Sequence, residues 1–519
     1  MTAVSLGRRS SSWVLILALS ISGVLPGCGS SEKDPPEETP SPDAGSPSPD
    51  AGSPPPDGGH PPLDGGTPPT DGGNPLPDGG TPPTDGGIPP PPPPAFTWGN
   101  GTETGTLVGN VWTPGRDAEG LVNAASWELV PKGRWIEVAG TPLTSLDAAV
   151  KAALPGFRDL GSGGIAAVIN AYSGVAVDAP RARWWAFGGG HADSSNNGLY
   201  RFDMAKMRWS IEQLPDNSAN WTGVTYGITY SFYPPADAYA KAHPDSDVFN
   251  DEFFDPDRPA ASTGNPVARH TYNGLVYNPD LQEVAFGVRR MWRYSLTTRT
   301  WKRHNPFNTP GASYNGATGY GGSQGWTFWD EVKHRYLFGP TENYNYSRWW
   351  SFDTDDQSWN WETITPPAWH FAQMVRVGRT LVSFPYPEAE HGSFPTFPPR
   401  LITYDMDTAK WGDLKLKHDL EVSRIYTDYF EGMIFTYVPP LNRYIAAFPY
   451  DRDGDGRREY RTFEVDPVKL ELREAPQWEA GAFGGWHELV KNRFFYLATH
   501  DALVYVRKGE ENLRVFRLP

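Results

Sequence analysis

The stretch RWWAFGGGHADSSNNGLYRFDM, residues 183–204, contains the first copy of a pattern that recurs along the chain. It ends in Phe202-Asp203, and Trp209 follows seven residues after the phenylalanine. The same spacing recurs along the chain, with a weaker last copy, at Tyr294…Trp301, Phe352…Trp359, Tyr404…Trp411 and Phe463…Leu470. Short polar turns such as DMAKMR and DTDDQS separate the two positions. Each copy therefore predicts a hairpin of two short strands.

Two further apolar strands precede each hairpin, such as IAAVINAYSGVAV and RWWAFGG before the first. A sixth unit begins at GGWHELV and RFFYLAT. Four short antiparallel strands that recur about every 50–60 residues are typical of β-propeller blades. We therefore predict an all-β propeller of six four-stranded blades. The hairpin-like segment SWELVPKGRWIEV (126–138) is expected to pair with the last blade and close the ring, unless residues 96–140 form a seventh blade.

An apolar strand, then glycines, then a spaced Tyr or Phe and a Trp resembles the kelch repeat. Over residues 165–510 the pattern is similar to the central propeller of galactose-oxidase-like proteins. Only the first blade keeps the full GG, and later blades read AFGV, LFGP and SFPY. The resemblance therefore implies the fold and not the function. It cannot extend to copper-radical oxidation, because that cofactor joins a Tyr to a Cys and the predicted propeller has no cysteine.

The N-terminal residues indicate export. Arg8 and Arg9 precede an apolar run at 13–24 that is too short to span a bilayer comfortably. The run ends in LPGC (25–28), which resembles the lipobox of bacterial lipoproteins. This implies a signal peptide at 1–27 and a lipidated Cys28; the alternative is an ordinary secretory signal with an incidental cysteine. We expect a protein anchored to the bacterial cell envelope, at the outer membrane.

Residues 28–94 are rich in Pro, Gly and Asp, with an aspartate every seven residues from Asp43 to Asp85. Such a composition predicts a disordered, extended linker, and it leaves residues 95–519 as the folded propeller. The net charge of −16 and the lack of a basic stripe exclude nucleic acid as a partner. Cys28 is the only cysteine, so disulfides, thiolate zinc sites and cysteine nucleophiles are excluded from the folded part. We expect a monomer that touches the membrane only through its lipid.

In a propeller, the loops that join strand b to c and strand d to the next a open on one face. The first b–c loop, GGGHADSSNNG, lies between two strands, so it is not a phosphate cradle. Its SSNN is expected to form the tip of a turn. The polar residues assigned to this face are His191, Arg269, His270, Tyr272, Tyr344, Tyr346, His370 and His487.

These residues suggest chemistry as well as binding. Arg269 could neutralise a carboxylate while Tyr272 or His270 removes a neighbouring proton, as a polysaccharide lyase requires. His270 and Tyr272 share one face if their segment is a strand. The alternative for each histidine is a structural role at the start of a strand. A metal held by the histidines of this face is also open.

A second candidate site is DRDGDGRRE (451–459). It places Asp451, Asp453, Asp455 and Glu459 around a glycine turn, and these oxygen ligands suit Ca²⁺. The segment resembles the calcium hairpins of integrin-type propellers, which implies a structural ion. The alternative is a solvated acidic turn.

The leading functional hypothesis is a binding module for an extracellular glycan or another surface ligand. Exposed aromatics such as Trp326, Tyr344 and Tyr346 could stack on sugar rings. The alternatives are an enzyme, either a lyase acting on a uronate-containing glycan or a glycan hydrolase, and a scaffold for protein partners.

Overall fold

The computed structural model describes residues 95–189, 193–218, 222–224, 232–233, 265–266, 268, 270–288, 290–304, 326–339, 348–363, 370–386, 399–425, 434–455, 459–479 and 492–519. All of these residues belong to one compact unit, Pro89–Pro519. Within these ranges no helix is long and apolar enough to cross a membrane.

The described chain begins with elements that precede the first blade. A hairpin of β1 (Gly105–Val108) and β2 (Val111–Pro114) leads to a short helix, α1 (Ala124–Trp127), and to strand β3 (Trp135–Val138). Two more short helices follow, α2 (Asp147–Ala153) and α3 (Ala167–Asn170). Short 3-10 turns occur at Leu143–Leu146, Gly164–Ala166, Ala179–Arg181, Val422–Arg424, Pro439–Leu441, Pro476–Trp478 and Ala498–His500.

Six antiparallel blades then follow in chain order. The first contains β4 (Val175–Asp178), β5 (Arg183–Ala186), β6 (Leu199–Asp203) and β7 (Arg208–Gln213), and the connection after it contains the paired strands β8 (Thr222–Val224) and β9 (Phe232–Tyr233). The second contains β10 (Leu275–Asn278), β11 (Glu283–Val288), β12 (Arg290–Ser295) and β13 (Thr300–His304). The third contains β14 (Trp326–Asp330), β15 (Arg335–Gly339), β16 (Arg348–Asp353) and β17 (Trp359–Thr363).

The fourth blade contains β18 (His370–Val377), β19 (Thr380–Tyr386), β20 (Arg400–Asp405) and β21 (Lys410–Lys415). The fifth contains β22 (Ile434–Val438), β23 (Arg443–Tyr450), β24 (Glu459–Asp466) and β25 (Glu471–Glu474). The sixth contains β26 (Phe494–Leu497), β27 (Ala502–Tyr505) and β28 (Leu513–Arg517) from the C-terminal end of the chain. The predicted six-bladed propeller is confirmed.

The N-terminal segment closes the ring, as predicted. Strand β3 pairs antiparallel with β28 and becomes the fourth strand of the sixth blade, with Trp135 opposite Phe516. The β1–β2 hairpin extends this sheet, because β2 pairs parallel with the other edge of β3. The pair of Trp135 and Phe516 matches Phe202 opposite Trp209 in the first blade. The tryptophan that the sixth repeat lacks in sequence is therefore supplied from the start of the domain. The first half of the expected hairpin is wrong, because Trp127 lies in α1 and packs on Trp112 instead of forming a strand.

The strand pairing also corrects the weak copy in the fifth blade. Val465 is opposite Leu472, so the true pair lies two residues beyond Phe463…Leu470. The carboxylate of Asp466 accepts hydrogen bonds from the backbone N–H groups of Val468 and Lys469, and this closes the turn. A shift of two residues keeps the same side chains on the same face of a strand, so spacing alone could not fix the register.

The two tryptophans of RWWAFGG show how each blade buries both faces. Trp184 stacks on Phe202 at 4.4 Å and meets Phe495 of the sixth blade at 5.3 Å. Trp185 points the other way and stacks on Tyr277 of the second blade at 5.0 Å. Successive side chains on a strand alternate between faces, so one WW pair anchors the first blade to both neighbours.

Candidate functional site

The candidate site lies where the first b–c loop meets the segment before β4. Ser194, Ser195, Asn196 and Asn197 are all buried, so the expected turn tip is wrong. The Asn197 amide donates to the carboxylate of Asp216 at 2.9 Å and to the carbonyl oxygen of Pro266 at 3.0 Å. These polar side chains therefore tie the loop to the connection after the first blade. Buried polar groups must find such partners or cost free energy.

The same loop is also held by the d–a connection between β3 and β4. The Gly163 N–H donates to the Asp193 carbonyl oxygen at 2.7 Å, and the Ser195 N–H donates to that of Leu160 at 2.7 Å. The Ser194 hydroxyl donates to the Asp159 carboxylate at 2.6 Å. Burial raises the pKa of the Asp159 carboxyl above its ordinary value, while the hydrogen bond from Ser194 opposes that shift. The loop is thus held to the d–a connection at Asp193 and at the two residues that follow it.

Asp193, His270 and Tyr272 form a connected group, which we call the Asp–His–Tyr group. The Nε2 atom of His270 lies 3.5 Å from the Asp193 carboxylate, and its Nδ1 atom lies 3.0 Å from the Tyr272 hydroxyl. Because a carboxylate only accepts, we assign the Nε2 proton of the neutral imidazole to the side facing Asp193. Nδ1 then accepts from the Tyr272 hydroxyl. His270 and Tyr272 are thus in contact, but both precede β10 and Tyr272 has left-handed backbone, so they do not share a face of a strand.

The exposure of the three side chains sets their access to a ligand. Tyr272 is 7% exposed and His270 is buried, whereas the Asp193 side chain is 43% exposed. The ring of Tyr172 covers His270 at 4.5 Å between centroids. The sequence hypothesis gave the leading role to Tyr272 and His270, but the solvent-facing member of the group is Asp193.

Backbone strain marks the same place. Twelve non-glycine residues among those described have positive φ, and ten of them lie in the tight turns that join strands within blades. The remaining two are Tyr172 (φ 52°) and Tyr272 (φ 45°). They are linked directly, because the Tyr272 N–H donates to the Tyr172 carbonyl oxygen at 2.7 Å. Left-handed backbone at a bulky residue costs free energy and tends to occur at functional sites.

Glycines make room for this arrangement. A Cβ on Gly174 would lie 1.8 Å from Asn492 Oδ1 and 2.4 Å from the Tyr272 carbonyl oxygen. A Cβ on Gly188 would lie 1.9 Å from Ser173 Oγ, and Gly189 has φ 93°. The glycines after RWWAF therefore serve close approach and a left-handed turn, as the sequence suggested.

The other predicted residues of this face are placed as follows. His191, Arg269, Tyr344, Tyr346 and His487 lie outside the described residues, and His370 is the first residue of β18 with a side chain that is not described.

The idea that Trp326 is an exposed sugar-stacking residue is wrong. It is 2% exposed and packs in a core cluster with Leu337 and Met374. Trp326 begins strand a of the third blade, and the apolar contacts on both sides of that strand cover its ring.

The acidic segment after β23 forms a turn closed by Asp451. The Asp451 carboxylate accepts the backbone N–H groups of Gly454 and Asp455, at 2.7 and 3.2 Å. Asp453 and Asp455 are exposed. Across the described residues, no three acidic or histidine side chains lie together as a metal-binding group, and Asp451, Asp453, Asp455 and Glu459 are among those residues. The oxygens are of the type that Ca²⁺ takes, but this arrangement does not gather them. Calcium binding stays a prediction.

Sequence reasoning missed Asp193, Tyr172 and Asp159. Asp193 stands two residues after His191 in the quoted stretch, so its place in a b–c loop was available as a signal. Tyr172 and Asp159 carry no such signal, because only the folded d–a connection brings them to the loop.

Comparisons with known proteins add only a distant similarity of fold. No protein-family model matches the sequence, and no curated protein matches it. The similar solved structures include a GH74 enzyme from Niastella koreensis and a GH74 xyloglucanase from Xanthomonas campestris, at 10% and 11% identity. Each has a TM-score of 0.37, and the alignments cover 68% of this chain and 46% and 45% of the other chains.

The chain thus spans less than half the length of those two enzymes. A similarity of this size carries no argument about function. The class established by the structure is a six-bladed β-propeller, and the kelch resemblance stays a prediction.

Proposed function

We propose that this propeller binds an extracellular glycan on the face of its b–c and d–a loops, at the Asp–His–Tyr group. The observation that carries the proposal is the connected set of Asp193, His270 and Tyr272. Tyr272 and the neighbouring Tyr172 both have left-handed backbone. Strain at such positions persists where the surrounding structure fixes a functional geometry.

The chemistry of the group suits sugar hydroxyls. The exposed Asp193 carboxylate can accept two hydrogen bonds from neighbouring hydroxyls, and charged acceptors give the stronger bonds. His270 Nε2 lies 3.5 Å from that carboxylate, so a buried imidazole faces one of its oxygens. The Tyr172 ring, half-buried next to His270, offers an apolar surface for the CH face of a sugar.

A second candidate function is a polysaccharide lyase, and the 3.0 Å contact between the Tyr272 hydroxyl and His270 Nδ1 favours it. His270 would take the hydroxyl proton, and the tyrosinate would remove the proton beside the uronate carboxylate. The electron pair left on carbon forms a carbon–carbon double bond as the glycosidic C–O bond breaks. The departing oxygen takes back the proton that Tyr272 has removed and leaves as an alcohol, while His270 returns the hydroxyl proton to Tyr272. Binding is placed first because Tyr272 is buried and Asp193 is the exposed member.

The test is a glycan array together with a polysaccharide panel, read for binding and for the near-ultraviolet absorbance of the new double bond. Asp193→Asn and Tyr272→Phe are compared with Tyr437→Phe. The control also removes a tyrosine hydroxyl, one that donates to Asn442 at 2.9 Å next to the a–b turn of the fifth blade, on the opposite face.

We expect glycan binding that Asp193→Asn weakens at least tenfold and Tyr437→Phe leaves unchanged. Absorbance that is lost in Tyr272→Phe would establish the lyase. Capture of a protein partner with no glycan bound at all would contradict the proposal and favour a scaffold.

The location of the protein is also a proposal, supported by Arg8, Arg9 and the LPGC segment. We propose that Cys28 carries a lipid and that the linker holds the propeller away from the envelope.

A further inference from the structure

An exposed cation, Arg158, lies in a segment that is hydrogen-bonded to the loop of Asp193. Arg158 belongs to the d–a connection between β3 and β4. Its sequence neighbours are Phe157, which packs in the core, and Asp159, whose carboxylate accepts a hydrogen bond from Ser194. The Phe157 side chain points into the core, whereas Arg158 is exposed. The connection therefore exposes Arg158 on the face of the b–c and d–a loops.

The backbone of Arg158 is held by two serines that are 0% exposed. Its N–H donates to Ser218 Oγ at 3.2 Å. Its carbonyl oxygen accepts from Ser195 Oγ at 3.2 Å and also from the Ser218 hydroxyl. Ser195 is two residues from Asp193, so Arg158 is fixed to the same loop that positions the exposed carboxylate. Such anchoring on both sides is more than a solvated surface residue requires.

The side chain of Arg158 makes no hydrogen bond or ion pair with any residue that the structure describes. Among the arginines whose side chains are described, this holds for Arg158 and Arg208 alone. Arg208 begins β7 just after a c–d turn, on the opposite face of the same blade. A guanidinium presents parallel N–H donors that match the two oxygens of a carboxylate.

We infer that Arg158 binds the carboxylate of an acidic sugar and makes the site selective for glycans that contain uronate. The inference rests on the proposed glycan function and names its ligand class. Asp193 would accept from hydroxyls of the same or the next sugar ring, while Arg158 recognises the acid.

The test compares one polymer in two forms, polygalacturonate and its methyl ester, so that only the carboxylate charge differs. Binding is measured by calorimetry with wild-type protein, Arg158→Ala, Arg158→Lys and the control Arg208→Ala. We expect wild type to prefer the acid form by about tenfold or more, as a charged hydrogen bond allows. Arg158→Ala should lose that preference and keep its affinity for the ester, Arg158→Lys should keep part of it, and Arg208→Ala should match wild type.

The outcomes separate the two proposals. Equal preference for the acid in Arg158→Ala and wild type would overturn the inference. Binding of the ester alone, abolished by Asp193→Asn, would overturn the inference and leave the glycan function standing. Failure of every glycan on the array and of both polymers to bind wild type would overturn both.

Discussion

The closing strand β3 provides the sharpest test of the fold, through Trp135. Its ring is 4% exposed, packs on Phe516 at 5.5 Å, and donates from Nε1 to the Trp478 carbonyl oxygen at 3.0 Å. Trp209 in the first blade is its natural control. It is 6% exposed, faces Phe202 in the same register, and donates from Nε1 to the Thr141 carbonyl oxygen at 3.0 Å. The two residues differ in their origin. Trp209 belongs to the same repeat as its partner Phe202, whereas Trp135 comes from the N-terminal part of the domain and its partner Phe516 from the C-terminal end.

The expected loss for Trp135→Ala follows from these contacts. A buried aromatic side chain removes roughly 150–250 Å² from water, at about 25 cal/mol per Å². This amounts to about 4–6 kcal/mol before relaxation, and buried Trp→Ala changes fall near 3–5 kcal/mol. The lost indole hydrogen bond contributes about 1 kcal/mol more. We therefore expect both Trp135→Ala and Trp209→Ala to lower the free energy of unfolding by about 4–6 kcal/mol.

Guanidinium unfolding measures that free energy, and hydrogen exchange separates the two variants. In Trp135→Ala the exchange of backbone amides should rise in β3 and β28, because the ring opens at its seam. In Trp209→Ala it should rise in β6 and β7 and stay unchanged at the seam. A loss below about 1 kcal/mol for Trp135→Ala, or unchanged exchange in β28, would refute the assignment of β3 as the strand that secures the ring.

Four further predictions address single positions. Gly174→Ala should cost about 1–3 kcal/mol in thermal unfolding and weaken glycan binding, because its methyl would collide with Asn492 and displace Tyr272. Burial lowers the pKa of His500 to about 3, so the unfolded chain binds a proton that the folded one does not between pH 6.5 and 3, and the free energy of unfolding should fall as the pH is lowered through that window. His500→Phe should make this fall shallower in pH-dependent denaturation; an unchanged slope would contradict it. Calorimetry with Ca²⁺ should show heat that Asp453→Ala abolishes, and equal heats would end the calcium proposal. Cys28→Ala should move the protein from the membrane fraction to the soluble fraction of its host. An unchanged distribution between the two fractions would contradict lipidation of Cys28.

The number and nature of the blades could be predicted because the c–d hairpin is local. The aromatic residue and the Trp seven residues later lie opposite each other across a short turn, as with Tyr404 and Trp411. This pairing does not depend on the rest of the chain. The Asp405 carboxylate accepts from the backbone of Asp407 and Thr408, so the turn is also written in the sequence. In the fifth blade Val465 takes the place of the aromatic residue and pairs with Leu472. The seven-residue spacing from an aromatic residue therefore points to Phe463, which is the wrong residue.

The candidate site was less predictable because it is assembled from distant segments. Residues 158–163 and 193–198 meet through backbone hydrogen bonds and buried serines that leave no periodic pattern. Residues 270–272 join them through His270 and through the backbone contact of Tyr272 with Tyr172. His270 and Tyr272 were found because two aromatic polar residues stood near a strand start. Asp193 was missed because one aspartate among SSNN resembles an ordinary turn. Trp326 shows the reverse error, since a large aromatic near a loop was taken as exposed while neighbouring strands bury it.

We propose that Asp193 is the member of the Asp–His–Tyr group that contacts the ligand. A binding titration with the tightest glycan from the array tests this role. Asp193→Asn is compared with Asp355→Asn, which changes an exposed aspartate in a c–d turn on the opposite face. Both variants are first shown to unfold at the wild-type midpoint. We expect Asp193→Asn to bind at least tenfold more weakly than wild type and Asp355→Asn to bind with the wild-type Kd. Wild-type affinity in Asp193→Asn would contradict this role.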